Sequence, residues 1–152
     1  MKQIITVIIF FISIISYSQI NLTLEKVQKK FGNKNITESK TDENHFEIKK
    51  LSETETIKFT YNTENIVTII EVEDKESINN DRFHKLTKRL NPKFKLTSKG
   101  ETKLSDLYYD SKNELLTIKA YKTDKKVDLN KIIFISDTKI ILEIIPDVKN
   151  WN

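Results

Sequence analysis

Cysteine is absent from the chain, which removes disulfides, thiolate metal sites, a cysteine nucleophile and any lipid carried on an N-terminal cysteine. Glycine and proline number two each, so a Gly-rich phosphate loop of the usual kinds is excluded. No G-x-S-x-G elbow, no H-E-x-x-H pair and no D-x-D-x-D-G calcium loop is present. A large excess of one charge is also missing. The formal charge is +4, and setting aside Lys2 leaves 25 basic residues against 22 acidic, a net of +3. That balance is too even to imply a nucleic-acid partner.

What is present begins with an address. Met1 and Lys2 are followed by a nearly unbroken apolar run from Ile4 to Ile15, then by Ser16-Tyr17-Ser18 ahead of Gln19. A short positive region, an apolar core and a small-x-small site are the order of a cleavable secretory signal. The run is about 12 residues, against ~20 for a permanent transmembrane helix. Residues 1–18 are therefore expected to be removed, leaving residues 19–152 exported as one domain with no stable membrane span. At 152 residues in all, one domain is the default. Without disulfides its stability must come from the core.

Periodicity gives the elements. Thr23 is placed to N-cap a helix with Leu24, Val27 and Phe31 on one face, Glu25 in its first turn, and Gly32 as its stop. Asn33 to Asn44 is polar and reads as turn. His45–Leu51, Thr56–Tyr61 and Ile66–Glu73 alternate as strands, with Asn62-Thr63-Glu64-Asn65 as a hairpin turn. Phe83, Leu86 and Leu90 mark a second helix, ended by Asn91-Pro92. Phe94–Thr97 reads as a short strand, and Leu104–Asp110 with Glu114–Tyr121 as a hairpin. Lys131–Ser136 and Lys139–Ile145 read as a C-terminal hairpin spanning residues 131–145. The expected fold class is α+β, an antiparallel sheet with two helices packed on one face.

The order of elements repeats. Val27-Gln28-Lys29-Lys30-Phe31-Gly32-Asn33 aligns without a gap with Leu86-Thr87-Lys88-Arg89-Leu90-Asn91-Pro92. Tyr61 to Ile69 matches Tyr109 to Ile118 with one insertion. Two copies of a helix followed by three strands, over residues 22–73 and 80–121, account for both matches; the alternative is biased composition. The pattern Thr23-x-x-x-Val27-x-x-x-x-Gly32 before antiparallel strands resembles the helix-plus-sheet module of the β-lactamase-inhibitor-protein-like group, which includes small envelope lipoproteins of the SmpA/OmlA kind. Asn33 stands where that group often has proline. The resemblance implies a non-catalytic, protein-binding domain of the bacterial cell envelope and carries no functional residue across.

Candidate chemistry is sparse, and neither a catalytic residue nor a cofactor or metal site is assigned. His45 and His84 are the two histidines. An acid/base or hydrolytic role would need a carboxylate brought beside them, with Asp81, Glu43 and Glu47 the nearest in sequence. Lys85, Lys88, Arg89, Lys93, Lys95 and Lys99 form the densest basic stretch. They read either as a contact for an anionic partner or as a solvated face. Trp151 is open to both packing and contact.

Overall fold

Alternation decides which side of each strand is buried, and in this chain it produces a single sheet with two differently covered faces. The computed structural model describes residues 20–31, 36–40, 45–90, 98–126 and 128–151. The expected leader, the Gly32 stop and the Phe94–Thr97 strand lie outside the described residues. Eight strands, β1 (Ile36–Lys40), β2 (Phe46–Lys50), β3 (Glu55–Tyr61), β4 (Val67–Asp74), β5 (Ser98–Glu101), β6 (Ser105–Asp110), β7 (Leu115–Tyr121) and β8 (Leu129–Ile135), pair antiparallel in the order β1-β2-β3-β4-β8-β7-β6-β5. Helix α1 (Leu24–Phe31) precedes β1 and α2 (Asn80–Leu90) precedes β5. Helix α3 (Thr138–Ile144) and a 3-10 turn (Val148–Asn150) follow β8. The α+β class and antiparallel sheet are as the periodicity implies.

The inner face takes α1 and α2. Val27 of α1 and Phe83 and Leu86 of α2 pack with Ile57, Phe59, Ile70, Val72, Ile132 and Phe134 into one core. Val27, Phe59, Ile70 and Phe83 are fully enclosed, each stabilising the fold by roughly 1.5–3 kcal/mol. Local chemistry starts the elements where the sequence places them. Asn79 Oδ1 accepts from Arg82 N at 2.8 Å at the head of α2. Asn62 Oδ1 accepts from Glu64 N and Ile66 N at 3.0 and 2.9 Å, shaping the β3–β4 turn.

Two segments differ from the sequence reading. Within the polar stretch Asn33–Asn44, Ile36–Lys40 forms the edge strand β1 on β2. An edge strand is held by ladder hydrogen bonds, so it needs no apolar alternation to announce it. The second half of the expected 131–145 hairpin is the helix α3. Asp137 accepts from the amides of Lys139 and Ile140 at 2.9 and 3.2 Å, an N-cap that turns the chain out of the sheet. Ile141, Ile145 and Val148 then fall at i, i+4 and i+7 and pack on Leu107, Leu116 and Ile135 in a second core on the outer face. β-branched composition hid this helix, since a short isoleucine run suits a strand as well as a buried helix.

The strand order reads the same from either edge, and the halves meet where β4 pairs with β8, from Ile69 opposite Ile135 to Glu73 opposite Lys131. Each half runs helix, then four strands. Register slips fall at matching places: between Ile36 and Glu38 in β1 and between Ser98 and Gly100 in β5, and again between Thr60 and Tyr61 in β3 and between Ala120 and Tyr121 in β7. The segment entering each helix pairs with the first residue of the fourth strand, through Val67 N to Leu22 O at 2.8 Å and Ile78 N to Leu129 O at 2.6 Å.

Candidate binding surfaces

The basic stretch is only partly in view. Lys85 and Lys88 are exposed on α2. Arg89 and Lys99 belong to α2 and β5 by their backbone, while Lys93 and Lys95 lie outside the described residues.

The histidines do not come together. His45 precedes β2, with Nδ1 3.1 Å from Asn65 Oδ1 and its ring 4.9 Å from that of Tyr61. His84 is exposed on α2 and meets Phe83 edge-on at 5.5 Å. Among the described residues, no carboxylate hydrogen-bonds to either ring, and no three His, Asp or Glu side chains gather as a metal would require. One spacing was passed over in the sequence: Ser136-x-x-Lys139 matches the S-x-x-K pattern of acyl-transfer serines. The Ser136 hydroxyl, however, donates to Asn21 Oδ1 at 2.9 Å, and Lys139 is exposed on α3.

Among the described residues Arg82 of α2 pairs with the buried Glu55 on the inner face of β3, and a further polar cluster lies in each half. In the first, Glu47 and Lys49 point inward from β2, both buried, with Nζ 3.6 Å from Oε2. Gln28 of α1 donates to Glu47 Oε1 at 3.1 Å, and the Tyr61 hydroxyl donates to Oε2 at 3.4 Å. Burial, reinforced by the Glu47 charge and hydrogen bond, pushes the Tyr61 phenol far above its ordinary range. In the second, the Tyr121 hydroxyl donates to Asp106 Oδ2 at 2.6 Å, and Lys126 Nζ bridges Asp106 and Glu101 at 2.8 and 2.9 Å. Burial acts to raise Asp106, but the hydrogen bonds from Lys126 and Tyr121 and the charges of Lys126 and Lys119 hold it below the usual carboxylate value. Lys119 lies over the Phe83 ring at 3.9 Å. Hydrogen-bonded carboxylates packed beneath helices are built to be kept. Gln28 ties α1 to the sheet through Glu47, and Arg82 ties α2 to the sheet through Glu55 of β3.

The outer face is covered unevenly. Over β6, β7 and β8 lie α3, the 3-10 turn and Trp151, whose ring closes on Gly100 so tightly that a Cβ there would stand 2.5 Å from it. Ile69 of β4 packs at the margin of this second core, and over β2 and β3 no helix lies among the described residues. That half presents partly exposed Phe46 and Ile48 beside Lys58, which sits 4.7 Å above the Phe46 ring. A ladder of ion pairs borders them: Lys58–Glu71 at 3.4 Å, Lys131–Glu71 at 3.8 Å and Lys131–Glu73 at 3.1 Å. The sequence marks Phe46 and Ile48 as one apolar face of β2, but that face points outward because Glu47 and Lys49 pair with each other on the inner side.

No family model and no curated protein matches the chain. Solved structures similar to it include an extracellular protein containing an SCP domain from Bacillus anthracis, at 10% identity and a TM-score of 0.52, covering 81% of this chain and 46% of that one. Another is a cysteine-rich secretory protein from Staphylococcus aureus, at 7% identity and a TM-score of 0.46, covering 82% of this chain and 46% of that one. The chain thus spans less than half the length of either. At such identities the Bacillus anthracis likeness speaks for the fold alone. Among the described residues no helix is long and apolar enough to cross a membrane.

Proposed function

We propose that the chain is an exported, non-catalytic binding module of the bacterial cell envelope or its surroundings, and that it meets a protein partner on the outer face of β2–β4. The observation that carries this reading is the uneven cover of the outer face, with α3 and Trp151 sealing one half and Phe46 and Ile48 left in a rim of charged pairs on the other. An apolar centre with a polar rim is the anatomy of a protein contact. Export is supported by the leader-like residues 1–18; the two similar solved proteins are described as secretory and extracellular. The helix-then-strands order of both halves supports the resemblance to β-lactamase-inhibitor-like modules and an ancestral duplication. In that duplication each copy would carry four strands.

The test is capture from the source organism's envelope and culture fluid by immobilised protein expressed from the complete sequence, read by mass spectrometry. Ile48→Glu combined with Thr60→Glu should abolish retention of the partner, while Lys85→Glu with Lys88→Glu should leave it. Loss only with the α2 variant would move the contact to the basic stretch. Retention by both variants would refute the assignment of the face. The competing hydrolase reading needs a carboxylate at His45 or His84. It predicts an activity lost in His45→Ala or His84→Ala.

A further inference from the structure

The β6–β7 turn and α3 enclose a cleft of about 230 Å³ on the outer face. It lies apart from the open face over β2–β4. The Tyr109, Ser111, Glu114 and Thr138 side chains line it together with the aliphatic Ile141 and Leu142. We propose that this cleft binds an alkylammonium group, either a free primary amine or the side chain of a lysine.

The chemistry of the lining selects the class. Glu114 supplies a carboxylate that forms no ion pair among the described residues, held in the turn by a backbone with φ of 48°. Ser111 and Thr138 add hydroxyl oxygens able to accept from an ammonium, which has three donors and no acceptor. Tyr109 adds an aromatic wall suited to a cation, and burial keeps its phenol neutral beyond the ordinary range, helped by the charges of Glu114 and Asp110. Among the described residues no lysine or arginine lines the cleft, so an anion would meet the Glu114 charge without compensation from them. Ile141 and Leu142 give an aliphatic stem a surface to cover. The volume is below the roughly 300–1,000 Å³ of sites for drug-sized ligands, which favours a group the size of one side chain.

The probes are n-pentylamine, Nα-acetyl-lysine amide, and n-pentanol as the neutral counterpart, titrated into ¹⁵N-labelled protein expressed from the complete sequence. Both amines should shift the amides of Ser111–Glu114 and Thr138–Leu142, and pentanol should not. Binding of pentylamine alone would assign the site to free amines, and tighter binding of the lysine amide would assign it to a lysine side chain. Glu114→Gln should weaken binding by about two- to five-fold, the range of an exposed charge pair. Thr138→Lys, at an exposed position, should abolish it by placing a cation in the mouth. Equal shifts with pentanol, shifts confined to other acidic surfaces, or unchanged affinity in Glu114→Gln would each overturn the proposal.

Discussion

Tyr121 and Asp106 stand on neighbouring strand positions of the inner face, with the phenol donating to the carboxylate at 2.6 Å. The bond does two jobs, since it satisfies a half-buried hydroxyl and helps hold Asp106 ionised. Tyr121→Phe should therefore destabilise the fold by about 1 kcal/mol at neutral pH. Because the folded carboxyl titrates below its ordinary 3.8, its contribution is full above that value and is lost as pH falls through the folded value. The gap between wild type and variant should shrink in urea melts taken near pH 3. A gap that grows with acid would refute the linkage.

All four tyrosines among the described residues have phenols raised above 10.0, Tyr61 and Tyr121 most strongly. The unfolded chain then releases protons that the folded chain keeps. Stability is complete below the ordinary phenol value and declines as pH rises above it. Phenolate absorbance should appear late and together with loss of circular dichroism, and the Tyr61→Phe, Tyr121→Phe double variant should flatten the alkaline decline. Free titration of all tyrosines in the folded protein would contradict this.

Sequence periodicity revealed part of the inner core, because Val27, Phe83 and Leu86 sit on amphipathic stripes and Ile57, Phe59 and Tyr61 alternate cleanly; on β2 it marked Phe46 and Ile48, whereas Glu47 and Lys49 are the residues that face inward. It missed β1, whose polar residues owe their place to the ladder with β2, and α3, whose isoleucines suit either structure until Asp137 is seen capping it. The candidate surfaces were less legible. The open half of the outer face is defined by where α3 stops, and the cleft by the approach of a turn to a helix. Neither leaves a local spacing signal.

Asp137→Ala should cost about 0.5–2 kcal/mol, as loss of an N-cap does. Amide exchange at Lys139 and Ile140 should accelerate first, since these are the protons the carboxylate accepts. Asp137→Asn should restore most of the loss. Equal damage from both substitutions would show that the charge, not the cap, matters.

Gly100→Ala should destabilise by about 1–3 kcal/mol, the range for overpacking a filled site. The rigid indole of Trp151 lies where the new methyl must go. Its fluorescence should shift to the red as the ring is displaced toward water. An unchanged spectrum with unchanged stability would place Trp151 elsewhere.

The order in which the strands pair also governs when the sheet can be finished. β4 gains its second neighbour only in β8, so through synthesis of everything up to Leu129 it remains an unpaired edge, able to join another chain. Closure is a late, long-range event and belongs to the slow end of folding rates. On the proposed export route this delay would keep the polypeptide threadable; a truncation before β8 should leave that edge open and promote aggregation.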